Sequence, residues 1–156
     1  MAELAPGSKA PAFSLKDQTG KTVKLSDFKG RHLLVYFYPK ANTPGCTTQA
    51  CSVRDAQTDL SNANVAAVGI SPDGPTAQKK FDEKNNLGFP LLCDEDHATA
   101  EAYGAWGEKS MYGKKYEGVI RSAFLIDPKG KIAQAWYKVS PKATVPNLMK
   151  AIQEEA

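Results

Sequence analysis

Two cysteines, Cys46 and Cys51, lie four residues apart in the stretch TPGCTTQAC, behind a proline and a glycine and ahead of a run with helical spacing. Thiols so placed can attack a substrate, pair with each other or hold a metal. On an intact helix this separation sets the two Cα atoms roughly 8.6 Å apart, beyond the span of about 7 Å that a disulfide tolerates. Either the pair binds something, or it packs, or the helix must melt for the sulfurs to meet. Cys46 falls where an apolar strand hands over to the helix, with Thr43 as expected N-cap and Pro44 suited to the first turn. Free N–H groups and the positive end of the helix dipole there favour a thiolate. Cysteine also serves as a small buried hydrophobe, yet mere filler has no need of a Thr-Pro-Gly helix start. Cys51 stays open: beside Ala50, Val53 and Leu60 it reads as packing or as a redox partner.

A metal offers a rival use. Cys46 and Cys51, with Cys93 and His97 of CDEDH, make a Cys3His set of the kind zinc takes, and such a zinc-stabilised binding module is the alternative function. Against it, a cysteine inside an apolar helix is poorly posed for a zinc knuckle, and the acids of CDEDH read as a helix cap. Cys93 alone reads as a core residue at a strand end, and His32 and His97 as surface histidines. Arg121 interrupts the apolar strand GVIRSAFLID. It either snorkels at the sheet end or supplies a fixed cation near Cys46, holding a thiolate and polarising a substrate oxygen.

The elements that must position these residues follow from periodicity. LLVYFYP (Leu33 to Pro39) and VAAVGIS (Val65 to Ser71) are apolar on both faces, as strands between two layers are. The segment between them, with Ala50, Val53 and Leu60 at helical spacing, predicts a right-handed βαβ crossover. A polar helix at Pro75 to Asn86 leads to FPLLCD, where Pro90 predicts an edge strand or the start of one. An N-terminal hairpin is expected around KDQTGK. A second spans VIRSAFLID and KIAQAWYKV, joined by Asp-Pro-Lys-Gly. Val145, Leu148, Met149 and Ile152 close the chain with an amphipathic helix. The sum is an α/β, thioredoxin-like architecture: a central mixed sheet, helices on both faces and an N-terminal hairpin.

The 156 residues suffice for a single domain over 1–156 that needs no disulfide or metal staple. A composition of 42% hydrophobic and 24% charged residues excludes disorder and fibrous repeats. The net charge of +3 comes from dispersed lysines, without basic clusters interleaved with aromatics, so no nucleic-acid partner is expected. Neither an export signal nor a membrane span is indicated, and an odd cysteine count fits reduced thiols in the cytoplasm. No nucleotide loop, zinc-protease helix motif or serine elbow is present.

The string PKANTPGC, with Pro39, Thr43 and Cys46 at Pro-x-x-x-Thr-x-x-Cys spacing, resembles the peroxiredoxin signature. Its continuation TTQAC, with KLSDFKG, LLVYFYPKA, YGAWGEKS and IRSAFLIDPKGKI, is similar to the peroxiredoxin Q branch, also called bacterioferritin comigratory protein. The likeness covers nearly the whole chain. It implies a cofactor-free thiol peroxidase acting on hydrogen peroxide and organic hydroperoxides, with Cys46 as nucleophile. Thr43 would orient the peroxide, Pro39 shield the thiolate and Arg121 stabilise charge. Cys51 would resolve the Cys46 sulfenic acid as a disulfide within one chain, so that a monomer suffices, and thioredoxin or a similar dithiol would recycle it. Such resolution demands that the helix from Gly45 to Cys51 unwind. Pro44, Gly45, Thr47 and Thr48 are indifferent helix formers that keep its cost modest. Cys93 departs from the branch's pattern and is expected to be dispensable.

Overall fold

The computed structural model describes residues 3–155. Its centre is a seven-stranded sheet built on three parallel strands, β3 (His32–Phe37), β4 (Val65–Ser71) and β5 (Leu91–Cys93). β1 (Ser14–Lys16) and β2 (Thr22–Lys24) form the N-terminal hairpin and pair antiparallel beside β5. In sequence order β6 (Trp106–Met111) and β7 (Lys114–Val119) make a separate two-stranded ribbon. β8 (Ser122–Ile126) and β9 (Ile132–Trp136) complete the far side, giving the order β2-β1-β5-β4-β3-β8-β9. Pro90 thus opens β5, which lies inside the sheet rather than at its edge. The proline precedes the strand, and its carbonyl accepts the Gly69 N–H instead.

Helix α1 (Pro44–Asp55) continues, after a break at Ala56, into α2 (Gln57–Asn62) and crosses from β3 to β4. Helix α3 (Pro75–Asn85) crosses from β4 to β5. Both crossovers step the same way along the sheet, so their shared right hand puts α1 and α3 on one face. There they join α5 (Thr144–Glu155), while the short α4 (Ala98–Ala102) packs on the opposite layer. The helices therefore cover both faces unequally.

β3 distributes its side chains by strand alternation. Leu34 and Tyr36, with Tyr38 just past the strand, enter one layer with Ala50, Val53, Leu60, Phe81 and Leu148. Leu33, Val35 and Phe37 enter the other with Phe13, Tyr103, Phe124 and Val119. A continuous apolar run is thus the signature of a strand buried on both sides. Inside β4, Gly69 is required by close approach, since a Cβ there would stand 2.8 Å from the Tyr36 hydroxyl and 3.0 Å from the Tyr38 ring. The β6–β7 ribbon was not foreseen, because its exposed strand β7 carries no alternating apolar face. Among the described residues, no helix is long and apolar enough to cross a membrane.

Candidate active site

Strand β3 delivers the chain through Pro39 and a turn at Ala41 to Asn42 into the N-terminus of α1, with Pro44 at its first position. The turn is held from outside, the Ala41 N–H donating to the Asp73 carboxylate at 2.7 Å. Cys46 is the third residue of the helix and is 1% exposed. Thr43 takes the N-cap backbone position, but its hydroxyl donates to the Lys40 carbonyl at 2.8 Å and caps nothing. That corrects the capping role expected of its side chain. The turn before the helix uses the hydroxyl, leaving first-turn N–H groups without a capping side chain.

Arg121 stands across from Cys46, with Nη2 donating to Sγ over 3.3 Å. It does not lie inside a strand as expected: β7 ends at Val119 and β8 begins at Ser122, so Arg121 sits in the break between them. Released from the ladder, its side chain turns to the helix. Its backbone carbonyl meanwhile accepts the Val139 N–H. The guanidinium is held from a second side, Nη1 donating to Gln49 Oε1 at 2.7 Å. Gln49 Nε2 donates to Thr144 Oγ1 at 2.8 Å, and Thr144 Oγ1 in turn donates to the Ser140 carbonyl. Gln49 and Thr144 are both 0% exposed. A buried amide satisfied on both atoms fixes the guanidinium plane that faces the sulfur. Sequence reasoning missed both residues. Gln49 carried a signal, since three residues after Cys46 a helix presents the same face. Thr144 carried none.

Lys109, on β6, is a second cation near the site, its ammonium donating to the Val119 carbonyl at 2.9 Å. Burial lowers its pKa, the Arg121 charge pushes the same way, and the Cys46 sulfur opposes both. Beside the helix start opens a cavity of about 310 Å³, lined by Pro44, Gly45, Thr48, Ser140, Pro141 and Lys142. Gly45 leaves room here, because a Cβ would lie 3.3 Å from Arg121 Nη2. Tyr36, below, has its hydroxyl buried with no partner among the described residues, and burial raises its pKa well above the ordinary value.

Cys51 faces elsewhere. Five residues turn a helix by roughly 140° beyond a full circle, and its thiol points to Asn85 at the end of α3, 3.9 Å from Oδ1. All three cysteines are free. Cys93 ends β5 at 8% exposed, its pKa pushed up to about 11 by burial and then by Glu95, Asp17 and Asp73. His97 is stacked on Trp106 with ring centroids 3.8 Å apart. The Cys3His set therefore does not assemble, and among the described residues no three His, Cys, Asp or Glu side chains gather as metal ligands. His32 is half-buried rather than on the surface, its Nε2 unpartnered among the described residues.

A buried cysteine at a helix start thus faces a guanidinium held by a buried amide. Residues 6–135 match the AhpC/TSA family. Peroxiredoxin Bcp of Escherichia coli K12 is 54% identical over 132 residues, 85% of each chain. The chain belongs to the peroxiredoxins, in their Bcp and peroxiredoxin Q branch. Peroxiredoxin Bcp of Bacillus subtilis is 45% identical over 148 residues, 95% of this chain and 94% of that one. Among solved structures, the Xanthomonas campestris bacterioferritin comigratory protein superposes with a TM-score of 0.89 at 32% identity, covering 97% and 99% of the two chains. A cysteine mutant of Xylella fastidiosa PrxQ reaches 0.92 at 27% identity over 99% of each. The thioredoxin-like fold expected from the crossovers is therefore the fold found, and this peroxiredoxin is a thiol peroxidase.

Proposed function

We propose that this peroxiredoxin reduces hydrogen peroxide and organic hydroperoxides through Cys46, with Cys51 as its resolving partner and thioredoxin or a similar dithiol as reductant. The observation carrying the proposal is the 3.3 Å contact of Arg121 Nη2 with Cys46 Sγ at the start of α1. The Cys46 thiolate attacks the distal peroxide oxygen, the O–O bond breaks, and the proximal oxygen departs as water or alcohol after taking a proton. Sulfur is oxidised to the sulfenic acid and the peroxide reduced by two electrons. No cofactor enters. Arg121 and the helix-start N–H groups stabilise the charge that develops on oxygen. Thr43 orients the peroxide once its hydroxyl leaves the Lys40 carbonyl, and Pro39 keeps bulk water from the sulfur. The Xanthomonas campestris protein is described as having alkyl peroxide reduction activity. Here the cavity beside Gly45 supports room for an organic substituent.

Cys51 then attacks the Cys46 sulfenic sulfur, the disulfide forms and water leaves. A dithiol returns both thiols and becomes a disulfide itself. Resolution requires α1 to open, since Cys51 faces α3 while Cys46 faces Arg121. The helix is built to tolerate this. It has no side-chain cap, and the Thr47 and Ser52 hydroxyls turn back onto the Thr43 and Gln49 carbonyls, an arrangement that slightly weakens a helix. The folded helix thus makes the peroxide site and the opened one presents the disulfide. Intramolecular resolution is compatible with a monomer, and the reduced thiols with a cytoplasmic protein.

Intact mass after one equivalent of hydrogen peroxide tests the scheme. Wild type is expected to lose about 2 Da, and Cys51→Ser to gain about 16 Da or its trapped adduct. No mass change in either protein would refute it. Hydrogen exchange tests the opening. Amides from Thr47 to Val53 should lose protection on oxidation, and equal protection in both forms would remove the helix switch.

A further inference from the structure

A second cleft lies at the other end of β3, between the N-terminal segment, the 3-10 turn Leu25–Phe28 and the β8–β9 turn, with a volume of about 410 Å³. Its size is that of a small-molecule site. The floor is apolar: Phe13, Leu33 and Ile126 are buried there, and Leu25 and Phe28 half-buried. The rim is cationic, carrying Lys9, Lys24, Lys29, Arg31 and Lys129, five of the chain's 20 basic residues. Among the described residues none of the five has a carboxylate within salt-bridge distance. The one carboxylate in the lining, Asp127, is occupied, its Oδ1 accepting the Lys129 and Lys131 N–H groups at 2.9 Å each. Arg31 is held over the Phe28 ring, 5.3 Å from its centroid, keeping charge at the boundary between floor and rim.

We infer that this cleft binds a fatty-acid anion, the chain on the apolar floor and the single carboxylate among the rim cations. Charge complementarity selects the head group, since five cations against one carboxylate leave the rim with a net positive charge. Polyphosphates fit less well. The cations are exposed side chains spread around the rim of an apolar floor, which offers a polyphosphate nothing to contact. Six residues of β3 separate the cleft from the Cys46 end of the strand, roughly 20 Å. A ligand here is bound away from the reacting sulfur and is not the substrate being reduced.

Calorimetric titration of the reduced full chain with dodecanoate, below its micellar concentration, tests the site. Dodecyltrimethylammonium supplies the same chain with reversed charge, and acetate the same head without a chain. Dodecanoate should bind one to one, and neither control should saturate. The double variant Lys24→Glu, Arg31→Glu should bind at least about tenfold more weakly, with peroxide turnover unchanged. Lys129→Glu, on the exposed turn, should weaken binding alone and replaces the double variant if that does not fold. Hydrogen exchange should show protection on ligand addition at Leu25 to Lys29 and Asp127 to Gly130. Binding of the cationic amphiphile with equal affinity, charge reversals without effect, protection around Cys46 instead, or no binding at all would each overturn the proposal.

Discussion

Cys46 and Cys93 are both buried thiols at ends of secondary-structure elements, 1% and 8% exposed, and differ in the sign of what surrounds them. Around Cys46 stand a guanidinium at 3.3 Å and the opening turn of α1. Around Cys93 stand the carboxylates of Glu95, Asp17 and Asp73, which add to burial in pushing its thiol to about 11. Burial alone therefore separates nothing. Desolvation disfavours any thiolate, and a fixed cation offsets it where fixed anions deepen it. The two thiols are distinguished by the neighbours that each backbone location collects.

The sharpest way to break this contrast is to exchange the two thiols' importance. Cys46→Ser is expected to abolish peroxide consumption driven by a dithiol reductant, whereas Cys93→Ser should keep it within about twofold of wild type. Loss of turnover in the Cys93 variant would show that the carboxylate-rich site takes part after all. Next in size, Arg121→Met should lower kcat/KM roughly 100-fold or more, the usual effect of deleting a donor aimed at developing charge. Arg121→Lys should recover only part of this, because one ammonium cannot replace the guanidinium fork that spans both Cys46 Sγ and Gln49 Oε1. Single-turnover oxidation followed by stopped flow would measure both.

Smaller again, Gln49→Leu should slow the same oxidation step roughly tenfold, the worth of about 1.4 kcal/mol for a hydrogen bond that holds a charged group. An unchanged rate would mean that Arg121 keeps its orientation without Gln49. The smallest effect concerns stability. The unfolded Cys93 thiol titrates near its ordinary 9.0, while the folded one waits until about 11. Above pH 9 the unfolded state therefore holds fewer protons, and wild-type stability should fall as pH rises from 9 to 11. Urea unfolding across that window should show a flatter profile for Cys93→Ala, and parallel profiles would count against the carboxylate environment.

The legible parts of the fold were those with local spacing. The double-faced apolar runs of β3 and β4, the crossover helix between them, the Asp-Pro-Lys-Gly hairpin and the Leu148 face of α5 were all read from periodicity. The β6–β7 ribbon escaped, because β7 has no alternating apolar face and the ribbon's pairing is to itself. Pro90 misdirected in part, because its rule concerns the missing N–H within a ladder and here the ladder starts one residue later. Thr43 was placed correctly at the helix start, yet its hydroxyl found the Lys40 carbonyl three residues back. Competition among nearby acceptors is settled by backbone geometry, which residue type does not reveal.

By itself the sequence determined the chemistry on offer: a cysteine at a Pro-Gly helix start, a second cysteine too far along the helix to pair while it stays folded, and an arginine out of pattern. These are properties of spacing along one element. Only tertiary structure decided which charges meet which thiol. Arg121 reaches Cys46 across 75 residues and Gln49 reaches Thr144 across 95. Cys93 meets Asp17 and Asp73 through the sheet order that brings β1 and β4 to either side of β5. Electrostatic surroundings fall off over a few ångströms of space, so they are set by packing rather than by position in the chain.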